Sequence, residues 1–155
     1  MNVAVACDHA GFALKQTVLD AVRGGGDEPI DLGAYADHPP VDWPDVAEWA
    51  GRAIQRGEAE RAIVICGSGV GVAVAANKLR GIRAGMCHDT YSARQSVVHD
   101  NANMLSLGAR VIGPKLAEDV VKAFLAAKFS GEERHLRRLA KLDALEGSEA
   151  SHRSE

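Results

Sequence analysis

Residues 61–77, RAIVICGSGVGVAVAAN, constrain this chain more than any other stretch. An apolar, β-leaning run, Ala62-Ile63-Val64-Ile65, leads to Cys66 and is bounded at once by glycine. That length and boundary predict a buried strand. Gly67, Gly69 and Gly71 follow at every second position, with Ser68 and Val70 between them, and the small, alanine-rich residues 72–77 predict a helix. A strand, a glycine loop and a helix in that order aim main-chain N–H groups, and the positive end of a helix dipole, at an anion. A thiol stands at the mouth of the loop.

Spacing narrows what such a loop can be. A Walker A loop requires Gly-x4-Gly-Lys-Ser/Thr, but Val72 stands five residues after Gly67 and no Lys-Ser/Thr follows. A dinucleotide fingerprint is GxGxxG, whereas this loop is GxGxG, and no acidic residue stands out about 20 residues on. A cysteine-phosphatase loop needs an Arg soon after the thiol, and residues 70–76 contain none. An oxyanion hole remains, with Cys66 as an acid/base beside it, because thiols near helix N-termini have depressed pKa values. The other reading of Cys66 is a small buried residue at a strand end, a common place for cysteine. From spacing alone the two readings stand level.

Around this centre, short apolar runs alternate with amphipathic segments. Strands are expected at 2–7, 29–33, 62–66 and 81–87, with a further strand or strand pair over 104–107 and 109–112. Helices are expected at 12–22, 45–56, 90–99, 116–129 and 132–145, the second with Val46, Ala47, Trp49, Ala50 and Ile54 facing inward. Pro39, Pro40 and Pro44 mark 34–44 as a loop. The alternation predicts a single-domain α/β Rossmann-like sandwich, its mostly parallel sheet covered by helices on both faces, plus a C-terminal helix. Residues 1–146 form the domain and 147–155 a polar, disordered tail. Asp8-His9, Cys66 to Gly71 and His88-Asp89 all fall at the carboxyl ends of strands, where open α/β sheets bind ligands.

The net charge of −3 and an aromatic content of 5% argue against a nucleic-acid partner, which needs basic surplus and stacking surfaces. Three cysteines, with no CxxC pair and no zinc-type spacing, fit a reducing cytosol and no metal site. The N-terminus shows no signal peptide, and no run is long enough to span a membrane. The expected location is cytoplasmic.

Four blocks taken in order, VACDHAGF, ICGSGVGVAVAANK, GIRAGMCHD and RHLRR, resemble the type B ribose-5-phosphate isomerase family, which also contains the galactose-6-phosphate isomerase subunits. The resemblance runs from about Val3 to about Leu145. It implies an aldose–ketose isomerase that interconverts ribose 5-phosphate and ribulose 5-phosphate without metal or organic cofactor, through ring opening and an enediolate. In that family Cys66 would be the base and the 67–71 loop (Gly67, Ser68, Gly69, Val70, Gly71) the anion hole. Some members use a Glu just after the loop, where this chain has Val72. His99 would open the ring, and Asp8, His9 and Trp43 would hold the sugar. Arg110, Arg134 and Arg138 match the phosphate-binding arginines. On residue type alone, ERHLRRLAK reads first as a charged helix facing solvent, and Asp8 can cap the next helix while also serving the site. His38, His88, His135 and Cys87 read as structural, with Asp89 capping the helix that follows.

One departure affects the substrate. Many members read His-Asn-Asp where this chain has His99-Asp100-Asn101. An ionised Asp accepts only, whereas an Asn amide also donates. Asp100 is therefore expected to contact sugar hydroxyls or to orient His99. A tetrose 4-phosphate, allose 6-phosphate or galactose 6-phosphate stays open as substrate, and a non-catalytic phosphate-binding module is the alternative of another class. The resemblance also implies a homodimer, or a dimer of dimers, with active sites at the interface.

Overall fold

The computed structural model describes residues 1–152, with side chains to Gly147. Elements follow in the order β1 (Asn2–Cys7), α1 (Phe12–Gly24), β2 (Glu28–Asp31), α2 (Trp43–Gln55), β3 (Arg61–Cys66) and α3 (Val70–Ala76). Then come β4 (Ala84–Met86), α4 (Thr90–Asp100), β5 (Met104–Gly108), α5 (Pro114–Ala126) and α6 (Glu133–His152). The five strands make one sheet in the order β2-β1-β3-β5-β4, and every pair is parallel.

Alternation along the strands divides the core in two. Val3, Val5, Ile63, Ile65, Leu105 and Leu107 face one side, where Val18, Val97 and Phe124 of α1, α4 and α5 cover them. Ala4, Ala6, Ala62, Val64 and Met104 face the other, under Val46, Ala50 and Val72 of α2 and α3. Central strands buried on both faces are what near-continuous apolar runs encode. Cys7 packs on the first side and Cys66 on the second, so the two thiols lie on opposite faces of the sheet.

The chain runs outward from β1 to β2 in one direction and from β3 toward β4 in the other. The switch in winding falls between β1 and β3, and a crevice opens beyond their carboxyl ends. Gly11 lets the β1–α1 turn seat there, since a Cβ would stand 2.4 Å from the Ile65 carbonyl oxygen.

Several expectations change. The second helix starts two residues early, with Pro44 in its first turn. Trp49 is 38% exposed, because Val46, Ala47, Ala50 and Ala53 already define the inner face and Trp49 lies off it. Residues 109–112 form no strand: the Val111 N–H donates to the Gly108 carbonyl at 2.9 Å, closing a turn. α6 runs on to His152, so 147–152 continue a helix where a tail was expected, and 153–155 lie outside the described residues.

Candidate active site

At the carboxyl end of β3, Cys66 is 5% exposed and its Sγ accepts the Gly69 N–H at 3.1 Å. Gly69 has φ +83°, a left-handed conformation that glycine adopts without strain, and from there the chain enters α3. The Ser68 hydroxyl accepts the Val70 N–H at 3.2 Å. The N–H groups of Gly67, Ser68 and Gly71 have no acceptor among the described residues. Of the five N–H groups expected to form an anion hole, these three stand open. Val72 is fully buried among apolar side chains and offers no base.

β5 supports the loop from behind. The Ala109 N–H donates to the Cys66 carbonyl at 2.9 Å, and the Arg110 N–H to the Gly67 carbonyl at 3.0 Å. The buried Ser106 hydroxyl donates to the Gly69 carbonyl. Sequence reasoning missed Ser106, although a lone hydroxyl in the apolar run MLSLG was a signal that some buried acceptor needed it. A Cβ on Gly67 would stand 3.4 Å from Nη1 of Arg110, so that exposed guanidinium lies against the loop.

β1 supplies the opposite wall. Asp8 is 4% exposed and its Oδ1 accepts the Gly11 N–H at 2.8 Å, so the carboxylate also closes the β1–α1 turn. His9 is exposed, and its Nδ1 accepts the Val41 N–H at 3.3 Å. That bond ties the 34–42 loop to the end of β1. Trp43 follows the loop, its indole so close to Gly71 that a Cβ there would stand 2.9 Å from Cδ2. The loop is itself anchored by Lys15, a buried cation paired with Asp31 at 3.0 Å and bonded to the Ala34 carbonyl at 2.5 Å. Asp8, His9, Trp43, Cys66 to Gly71 and Arg110 are thus brought together.

His99, Asp100, Arg134 and Arg138 are not among them. α4 begins at the carboxyl edge of the sheet and runs back for 11 residues, about 16 Å at 1.5 Å per residue. It ends at the opposite edge, where Asn101 and Asn103 bond to Arg83 just before β4. His99 stacks there on His135 of α6, and Arg134 pairs with Glu132 at 2.9 Å. Arg134 and Arg138 face solvent. Asp100 lines a groove of about 930 Å³ between the 77–85 segment and α6. Within one chain the expected constellation is split between two edges of the sheet.

The other thiols are poor acid/base candidates. Burial pushes Cys7 up to about 11, against the pull of Lys15, and burial also raises Cys87. The Asp89 carboxylate accepts the Ser92 N–H at 2.7 Å as the expected cap of α4. Among the described residues no group of acidic, His and Cys side chains could hold a metal ion, and no helix is long and apolar enough to cross a membrane.

The geometry can be set beside known proteins. The ribose/galactose isomerase family matches residues 3–142. The chain is 40% identical over 145 residues to ribose-5-phosphate isomerase B of Escherichia coli (strain K12), covering 94% of this chain and 96% of that protein. It is 41% identical over 135 residues to D-erythrulose-4-phosphate isomerase of Pectobacterium atrosepticum, covering 84% and 86%. The solved structure of Clostridium thermocellum ribose-5-phosphate isomerase B superposes with a TM-score of 0.91 at 42% identity, covering 96% of this chain and 99% of that one.

Proposed function

The chain belongs to the ribose/galactose isomerase family and is an aldose–ketose isomerase, and from that premise we propose that it interconverts ribose 5-phosphate and ribulose 5-phosphate, with Cys66 as the base. The observation that carries the proposal is the meeting of Cys66 Sγ, the open N–H groups of Gly67, Ser68 and Gly71, and the Asp8–His9 pair beside one crevice. As a thiolate, Cys66 takes the proton from C2 of the open-chain sugar. The C–H electron pair becomes the C1–C2 double bond of an enediolate, and charge moves onto O1. The loop N–H groups are placed for that oxygen, and fixed donors aimed at developing charge lower the barrier most. The thiol then returns its proton to C1 while the O2 hydroxyl proton passes to O1, so the C1–C2 pair becomes the new C1–H bond and the carbonyl forms at C2.

Asp8 and His9 hold sugar hydroxyls, Trp43 packs on the sugar, and Arg110 takes part in holding the phosphate. Ring opening by His99, phosphate binding by Arg134 and Arg138 and a hydroxyl contact from Asp100 require those residues from a second copy, because one chain keeps them at the far edge of its sheet. Val70 and Val74 on α3 and Leu136 and Leu142 on α6 are 46–53% exposed in the single chain. That much open apolar surface favours a homodimer with the site at its interface.

A second substrate is favoured by Asp100 and by the similarity to a D-erythrulose-4-phosphate isomerase. Assays with ribose 5-phosphate, erythrose 4-phosphate and allose 6-phosphate, run with a chelator present, separate the two. The proposal expects the pentose phosphate to have the highest kcat/KM. A tenfold preference for the tetrose phosphate would transfer the same chemistry to the shorter sugar, and dependence on added metal would contradict the thiol–loop mechanism.

A further inference from the structure

β4 stops at Met86, while β5 runs on to Gly108. In a parallel ladder a carbonyl of the neighbouring strand would take the last N–H of β5. Here the Gly108 N–H donates to Nε2 of His88 at 2.9 Å. The imidazole stands in for the missing strand. His88 is half-buried, which holds its pKa below the ordinary value against the pull of the Asp89 carboxylate. A neutral ring with its proton on Nδ1 is the form that can accept at Nε2.

Gly108 opens the turn whose next two residues grip the loop from behind. The carbonyls of Cys66 and Gly67 accept from Ala109 and Arg110. A planar trans peptide points its N–H opposite to its C=O. With those two carbonyls held toward the turn, the N–H groups of Gly67 and Ser68, which share the same peptide planes, point away from it and toward the crevice. The fit has no slack, since a Cβ on Gly108 would stand 2.5 Å from the Ser68 carbonyl carbon.

We propose that His88 is a positioning residue for the isomerisation: by anchoring Gly108 it fixes the 108–110 turn, and through that turn it aims the Gly67 and Ser68 N–H groups at the oxyanion. The proposal rests on the 67–71 loop being the anion hole. It assigns a role to a residue that sequence reading left as structural. Charge on O1 develops only during the chemical step, so misaimed donors lower kcat and leave KM in place.

The test compares two amides on the sugar phosphate that the wild-type enzyme turns over best. His88→Gln carries an acceptor oxygen out to about the position of Nε2, while His88→Asn ends short of it. The expected result is a drop in kcat of about tenfold or more for His88→Asn with KM within about twofold, and recovery of most of that loss in His88→Gln. A wild-type kcat in His88→Asn, or a loss carried by KM, overturns the proposal. Where the Asn variant fails to fold, a through-hydrogen-bond coupling between the Gly108 amide and His88 Nε2 in the wild-type protein supports it, and absence of the coupling overturns it. Wild-type protein inactive on every sugar phosphate would retire the isomerase reading itself, a result the His88 variants cannot mimic.

Discussion

The imidazoles of His99 and His135 stack with their centroids 4.3 Å apart and their planes 26° from parallel. His135 is 1% exposed, and its Nδ1 shares a hydrogen bond of 2.6 Å with the Ser130 hydroxyl. Nδ1 of His99 lies 3.2 Å from the Gln95 amide nitrogen. The stack holds His99 of α4 against α6, at the edge of the sheet opposite Cys66. The site of one chain therefore holds the proposed base but not the proposed ring-opening acid.

Mixed dimers test that separation. Cys66→Ala and His99→Asn should each be almost inactive alone. After subunit exchange, half of the dimers are mixed, and each mixed dimer has one site with both wild-type residues. Recovery of about a quarter of wild-type activity is expected from this symmetry. A mixture as inactive as its components would place Cys66 and His99 in one chain's site, or outside any shared one.

The buried His135 makes a pH prediction. Burial lowers its pKa below 6.5, and the charges of His99, Arg134 and Arg138 lower it further. The folded state then binds fewer protons than the unfolded one. This contribution to stability is fully present above the unfolded value of about 6.5 and is lost as pH falls through the folded one. Urea midpoints should drop between pH 7.5 and 5.5, and His135→Phe should flatten that slope. Equal slopes in the two proteins would show that His135 is not the group responsible.

Gly108→Ala tests how tightly the loop is backed. The added methyl meets main-chain atoms of Ser68 at 2.5 Å, which cannot swing aside as a side chain would. A loss of about 1–3 kcal/mol in stability is expected from overpacking, with kcat reduced at least about tenfold in the protein that folds. Unfolding curves with single-turnover kinetics check both. Unchanged kcat would mean that the loop tolerates displacement.

Lys15→Met removes a buried cation and keeps its aliphatic stem. The Asp31 carboxylate, 33% exposed, loses its counter-ion and keeps only the Gly33 N–H, and the Ala34 carbonyl keeps only the weak Cys7 thiol contact. About 2 kcal/mol of stability should go, less than for a fully buried pair because water reaches Asp31. Gly33 and Ala34 bracket Cys7 through two main-chain bonds of 2.7 Å, immediately before Asp8 and His9. KM should therefore rise several-fold with kcat less affected, which steady-state kinetics would show. A variant with wild-type KM would separate this anchor from substrate binding.

Much of this architecture was legible in the residues. The apolar runs of β1, β3 and β5 gave the central strands, and the glycines after Cys66 placed the loop at a strand end. What was not legible depends on contacts distant in sequence. Trp49 could not be turned outward by periodicity, because several small residues compete for the inner face of α2. Nothing in His99 or Arg134 says that α4 carries the one, and α6 holds the other, at the far edge. His88, at a strand end, read as structural because its partner, the Gly108 N–H, is 20 residues away.

The central claim is that the thiol beside the glycine loop moves the proton. Cys66→Ser keeps the shape and the Gly69 N–H contact but replaces a thiol with a far weaker acid. With ribose 5-phosphate, a chelator present and the folded state verified, the variant should lose at least about a hundredfold in kcat, the lower end of general acid–base effects, with KM within a few-fold. Solvent deuterium incorporation at C1 or C2 should fall by the same factor. Turnover and exchange near the wild-type rate in Cys66→Ser would contradict the account, since the proton would then be moving through another group.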